Sequence, residues 1–210
     1  DYVGFALFSI TIIALQLVLD RGERLDWFDS PFIIGSVALT ATAFYMFIVH
    51  TYFTEQPFIN PRLFLNRNYV IGLFLVFVYG SLNFTPLVLL PSLLQNLKGY
   101  PDTLIGMILA MRGVGMVAGF FFAARMGRLD PRVGLVAGMV MVGISGWAMS
   151  LYDLNVSFWT LSWPSILQGV GCGLMWVPLS VVTFSTLEKR LLPEGASLFH
   201  LLRNLGTSLY

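Results

Sequence analysis

The residue with the most chemistry to offer is an arginine placed where arginines are rarely tolerated. Arg112 lies about ten residues into the apolar stretch Thr103 to Ala124. A guanidinium at that depth of a bilayer must face protein, water or a carboxylate rather than lipid. Gly115 and Gly119 follow at i+3 and i+7, so the arginine shares its helix face with small residues that let a neighbouring helix come close. Three readings fit this pattern: an interhelical strut bonded to carbonyls, a group on a substrate or proton pathway, or a span whose boundary is shifted from the one drawn here. Asn83, Thr85 and Pro86 form a polar, helix-breaking cluster in the stretch Tyr69 to Leu94, with Pro91 further on. Proline removes an intrahelical hydrogen bond, and the freed carbonyl is tolerated only against protein or a water-lined cavity. The cluster is therefore a cavity wall or gate, or a simple kink. Gln168 with Gly169, Gly171 and Gly173, then Trp176 and Pro178, repeats the theme in a later stretch. Gln168 could offer a hydrogen bond and Trp176 a flat surface to an amphipathic ligand, while Gly169 and Gly173 alone predict tight helix packing.

Equally telling is what these stretches lack. All eleven Asp and Glu, from Asp1 to Glu194, fall at the ends of apolar stretches or between them. Proton coupling needs an intramembrane group that changes charge, and His50 and His200 are expected near helix ends, so if this is part of a proton-driven machine its titrating residue is expected outside this sequence. The residues form no Ser, His and Asp set, no phosphate loop and no Cys or His ligand cluster, which predicts neither an enzyme nor a metal site. Cys172, the single cysteine, sits in an apolar run and reads as a small buried hydrophobe.

Seven apolar stretches position these residues: roughly Tyr2 to Leu19, Phe32 to Phe53, Tyr69 to Leu94, Thr103 to Ala124, Val133 to Leu151, Val156 to Ser185, and Ala196 onward. A span needs about 20 mostly apolar residues at a rise of about 1.5 Å each. The chain is 57% hydrophobic and 11% charged, against about 25% charged in an ordinary soluble domain. Runs such as Tyr69 to Val78 are apolar on every side, which excludes the alternation of a membrane barrel. The fold class is thus all-α and polytopic. A net charge of +1 carries no indication of nucleic-acid binding. Arg62, Arg67, Arg125, Arg128, Arg132, Lys189 and Arg190 fall in alternate loops, against Arg21, Arg24 and Lys98 in the others. The excess marks the cytoplasmic side, so the acidic loop Asp20 to Ser30 faces outward. The connector Thr54 to Asn68 suggests a division into residues 1–60 and 61–210. The start reads as an internal cut and the last span as incomplete at Tyr210.

Six blocks, in order, carry a resemblance: LQLVLDRGERLDWFDS (Leu15 to Ser30), NPRLFLNRNYVIG (Asn60 to Gly72), MRGVGMVAG (Met111 to Gly119), DPR (Asp130 to Arg132), LQGVGCGLMWVPL (Leu167 to Leu179) and LLRNLGTSL (Leu201 to Leu209). Together they resemble the fourteen-helix drug and proton antiporters of the major facilitator superfamily, the EmrB/QacA type. The resemblance implies that residues 1–60 are two central linker helices. It implies that 61–210 are an incomplete six-helix C-terminal bundle, giving about seven transmembrane helices. It further implies a rocking exporter that expels amphipathic or cationic compounds as protons enter, with no cofactor beyond the proton gradient, in a bacterial cytoplasmic (inner) membrane. The coupling carboxylate would lie in the absent N-terminal bundle. Arg125, Arg128, Asp130 and Arg132 would form a basic cytoplasmic gating loop. Ala124 stands where the family often carries an acidic residue, so this loop is assigned orientation and gating alone.

By the same resemblance the partners are the lipid bilayer, small amphipathic substrates, the N-terminal bundle and, through the acidic outer loop, a periplasmic adaptor protein. Fold does not decide substrate. A carrier for a specific metabolite such as a siderophore, or a non-transporting membrane scaffold, would share the same scaffold.

Overall fold

The computed structural model describes residues 1–55, 57–126, 130–152 and 157–208. Seven α-helices follow one another: α1 (Tyr2–Arg21), α2 (Pro31–Phe53), α3 (Arg67–Lys98), α4 (Asp102–Met126), α5 (Pro131–Ser150), α6 (Phe158–Phe184) and α7 (Leu192–Thr207). No strand occurs among the described residues. Six of the seven are long and apolar enough to cross a membrane. The seventh, α7, has 16 residues within the described part, with Arg203 and Asn204 interrupting its apolar run and His200, expected near a helix end, at its ninth position. The described residues form two compact units, one of residues 1–81 with 187–210 and the other of residues 82–186.

In the first unit α1 and α2 pack as a hairpin, with Ala14, Val18, Ile33, Ala43 and Phe47 buried. Two short 3₁₀ turns join them, Glu23–Leu25 and Trp27–Asp29. The chain reverses there through Asp26 and Trp27 at φ of 53° and 50°, a left-handed conformation that is uncommon for residues with a side chain. The turn is held by local bonds. The Trp27 backbone N–H reaches the Gly22 carbonyl at 2.8 Å, and its indole N–H donates to the Glu23 carboxylate at 3.1 Å. Gly22 is required because a β-carbon there would meet the Trp27 ring. At the other end of the hairpin the Asp1 carboxylate accepts from Gly4 N–H and Phe58 N–H and pairs with His50 Nε2 at 2.8 Å. Helix α7 lies against the first half of α3, where the Tyr69 hydroxyl donates to the Gly195 carbonyl at 2.8 Å and Ser81 Oγ to the Gly206 carbonyl at 2.9 Å.

In the second unit α6 is the central helix, packed between α4 and α5. More than half of its most apolar window is buried, 56% against 28% and 33% for its two neighbours. Glycine explains how three helices come so close. On the α4 side, a β-carbon at Gly115, Gly119, Gly169 or Gly173 would collide with the backbone carbonyl of Ile166, Val170, Arg112 or Met116 respectively. On the α5 side, Gly138 and Gly171 face each other's backbone in the same manner. In lipid there is no hydrophobic force between helices, so close van der Waals contact of this kind is what holds them. Toward the outer end Leu90, Leu94, Ile105, Ile108 and Leu161 form an apolar cluster beside Tyr152. Burial pushes the Tyr152 phenol up to about 12, so it stays neutral and donates to the Leu161 carbonyl at 3.2 Å.

Gly169→Val is expected to lower the thermal midpoint of the purified protein markedly, since overpacking a tight core costs roughly 1–3 kcal/mol. Gly113→Ala, which meets no atom within 4 Å, should leave the midpoint unchanged. A fluorescence-detected thermal scan of both variants in detergent would check this pair.

Candidate functional site

Arg112 stands on the α6-facing side of α4 and is 6% exposed. Its carbonyl is wedged against Gly169 and the carbonyl of Ile166 against Gly115, so the glycines fix the arginine backbone on α6. From there the guanidinium spans two neighbours. Its Nε–H donates to Gln168 Oε1 on α6 at 3.1 Å. One terminal nitrogen donates to Asn83 on α3, both to the backbone carbonyl at 2.6 Å and to the side-chain Oδ1. Gln168 completes the circuit by donating from Nε2 to the Leu82 carbonyl at 3.2 Å.

The Leu82 carbonyl is available because of Pro86. In a helix that carbonyl would accept the N–H of the residue four positions on, and proline has none. α3 is helical throughout Arg67–Lys98, passing over both Pro86 and Pro91. The polar cluster is therefore not a break in the helix. Pro86 instead leaves an orphan acceptor, which Gln168 satisfies from the next helix, and Asn83 supplies two more acceptors one residue along. Three helices are thus tied at mid-span by neutral amide groups around one positive charge. Arginine does not lose its proton in proteins, so this charge is fixed. The thiol of buried Cys172, one turn beyond Gln168, lies within interaction range of Arg112.

Trp176 stands apart from this cluster. It is half-buried on α6, two turns past Gln168, about 12 Å further along the axis. Of the basic loop, Arg125 lies exposed in the last turn of α4, where a cation complements the helix dipole, and Arg132 is exposed at the start of α5. Asp130 caps α5, its carboxylate accepting from Arg132 N–H at 3.0 Å. Arg128 lies outside the described residues. No group of three or more potential metal ligands occurs among the described residues.

Sequence reasoning passed over two polar groups. Gln16, on α1, donates to Ser208 Oγ at the end of α7, and Arg203 lies inside α7 with its guanidinium 3.2 Å from Asn204 Oδ1. An isolated glutamine near the end of a span gives no periodic signal. Arg203 carried one, since Gly206 follows it at i+3 as Gly115 follows Arg112.

Comparison with known proteins agrees with the architecture. The profile of the Major Facilitator Superfamily matches residues 54–210. Multidrug export protein EmrB of Escherichia coli (strain K12) is 32% identical over 211 residues, covering 100% of this chain and 41% of its own length. Fatty acid resistance protein FarB of Neisseria gonorrhoeae is 31% identical over 209 residues, covering 97% of this chain and 40% of its own. Colistin resistance protein EmrB of Acinetobacter baumannii is 23% identical over 205 residues, covering 97% and 40%. The chain spans about 40% of the length of these curated relatives.

Arg112→Ala should lower transport by the full-length protein far more than it lowers folded yield, and Arg112→Lys should recover little, because an ammonium cannot reach Gln168 and Asn83 in the planar geometry of the guanidinium. Equal losses of yield and transport in both variants, read by size-exclusion chromatography beside an efflux assay, would mark Arg112 as a strut only.

Proposed function

The chain belongs to the major facilitator superfamily, and from that premise we propose that it is the central and C-terminal part of a proton-driven multidrug exporter. Membership of this family and six membrane-crossing helices make it part of a multi-pass membrane transporter. The observation that carries the finer reading is the Arg112 site: a fixed, buried charge held at mid-span by neutral amides, in a chain similar over its whole length to proteins named for multidrug export. A charge so placed is expensive in a membrane and characteristically marks a substrate or ion route. In this reading the protein works without a cofactor, in the bacterial inner membrane, by rocking two bundles around a midplane site. Residues 1–60 are the two linker helices and 61–210 the C-terminal bundle, in keeping with a family match that begins at residue 54. The titrating carboxylate belongs to the other bundle. Gln168, Asn83 and Pro86 shape the Arg112 site, Trp176 offers an apolar surface further along α6, and the gating loop is the stretch that carries Arg125, Arg128, Asp130 and Arg132 in the sequence.

The full-length protein in proteoliposomes under an imposed pH gradient should expel a fluorescent amphipathic cation, and collapse of the gradient or Arg112→Ala should abolish this. A folded wild type that moves no such dye would shift the assignment to a specific metabolite carrier or a scaffold.

The outer turn between α1 and α2 is the proposed face for a periplasmic adaptor. It exposes Phe28 at 66% and Trp27 at 41%, among Glu23, Asp26 and Asp29. Deleting residues 23–29 should abolish adaptor co-purification while membrane insertion is kept; unchanged co-purification would remove the adaptor from the scheme.

A further inference from the structure

A crevice with a basic mouth runs through the first unit. Helix α7 stands beside the α1–α2 hairpin, tied to it by the bond from the Gln16 amide to the Ser208 hydroxyl. Between them lies a cavity of about 450 Å³ whose walls include Phe44, Ile48 and Tyr52 of α2 and Leu198, Leu202 and Leu205 of α7. Tyr52 and Leu198 form its shallow end, near the helix termini that the loop charges place at the cytoplasmic face. Phe44 and Leu205 form its deep end, roughly 12 Å further along α2 at about 1.5 Å per residue. Phe44, Ile48 and Tyr52 are also exposed, which leaves the crevice open along one side.

At the shallow end the crevice meets a second cavity, of about 420 Å³, with which it shares Thr51 and Pro61. The character of the lining reverses there. Arg62 and Arg190 line the second cavity beside Thr54, Asn60 and Glu55. Arg62 enters no ion pair among the described residues, and Arg190 pairs with Glu188 at 3.1 Å through exposed side chains. An exposed pair of that kind is weak, and Lys189 stands between the two partners in the same turn. Two arginines thus face one lining carboxylate. The wall common to both cavities carries an unmet polar group as well. Ser36, Thr40 and Thr42 on α2 each bond back to the carbonyl four residues earlier. Thr51 does not, and its buried hydroxyl has no partner among the described residues. Buried hydroxyls are nearly always satisfied, and a helical threonine has two side-chain positions between which it can turn.

We propose that this crevice and its mouth bind one anionic phospholipid of the cytoplasmic leaflet. An acyl chain lies along α2 and α7, an ester oxygen accepts from Thr51, and the phosphate sits between Arg62 and Arg190. The apolar walls alone would take any hydrocarbon. The arginines at the cytoplasmic end select an anion, because a guanidinium fork matches a phosphate, and basic pockets on that side of a membrane hold anionic headgroups. The inference does not depend on which compound the protein moves.

The test titrates full-length protein in detergent with phosphatidylglycerol or with phosphatidylcholine of the same chains, and reads bound lipid by native mass spectrometry. Wild type is expected to hold one phosphatidylglycerol about tenfold more tightly than phosphatidylcholine, two arginines being the source of the difference. Arg62→Gln combined with Arg190→Gln should remove that preference. Ile48→Trp, which fills the crevice from an exposed position, should weaken both lipids. Thr51→Val should weaken phosphatidylglycerol about threefold, the scale of one hydrogen bond, with a thermal midpoint no lower than that of wild type. A merely structural Thr51 would lower the midpoint and leave the lipid in place. Equal affinity for the two lipids in wild type, or a preference that survives the double arginine change, would overturn the proposal. Displacement of the lipid by inorganic phosphate alone would reduce the site to an anion pocket at the mouth and overturn the lipid assignment. A wild type that retains no lipid would overturn it too, and would give the crevice to the N-terminal bundle.

Discussion

A guanidinium inside hydrocarbon must be met by oxygen, and the second unit of this protein is organised around meeting one. Arg112 cannot discharge itself by losing a proton, and an unsatisfied polar group costs several kcal/mol in the membrane core. Its acceptors come from two other helices, Gln168 on α6 and Asn83 on α3. Each imposes its own condition. Gln168 must stand within 3.1 Å of the arginine, which requires α4 and α6 to touch backbone to backbone, and this in turn requires glycine at 115, 119, 169 and 173. Gln168 is in turn anchored on the Leu82 carbonyl, which the helix leaves open because Pro86 has no N–H to give it.

The glycines and the proline are therefore parts of one solution rather than separate features of a membrane helix. Removing backbone bulk lets the helices approach, while removing a backbone N–H supplies an acceptor. What results is a rigid node made wholly of neutral dipoles and one permanent charge. A permanent charge held by neutral dipoles suits a group that reads the charge of a partner rather than one that carries protons.

Much of this node was legible in the sequence because helical spacing is a strong signal. Arg112, Gly115 and Gly119 fall on one face by arithmetic, and the contrast between an arginine and its apolar surroundings needs no structure to be seen. The partners were harder. Asn83, Pro86 and Gln168 were each visible as polar or helix-breaking groups in an apolar run, but sequence spacing says nothing of which helix lies beside which. The meeting of residues 56 apart, as in the Arg112 to Gln168 bond, follows only from packing. The same limit explains two differences. Pro86 looked like a break because its missing N–H disrupts an isolated helix, whereas here a neighbouring side chain repairs the defect. Trp176 looked like a companion of Gln168 because eight residues are close in sequence, while along a helix they are two turns apart.

A fixed charge also constrains the division of labour in a transporter. Coupling to protons requires a group whose charge changes within the membrane, and the described spans hold carboxylates only at their ends. If protons drive the cycle and a carboxylate supplies the change of charge, that carboxylate lies outside the described spans. The arginine side then needs only to distinguish the two states of that residue, attracting it as a carboxylate and releasing it as an acid. An arginine held by neutral amides does this better than one already paired to a carboxylate of its own, because none of its attraction is spent within its own bundle. On this argument the amide character of Asn83 and Gln168 matters as much as the arginine. Asn83→Asp would put a permanent partner beside Arg112, strengthening the node while weakening its hold on any partner outside. The variant should fold with a thermal midpoint at or above that of wild type, yet transport more slowly at saturating substrate, and a thermal scan beside an efflux titration would check both.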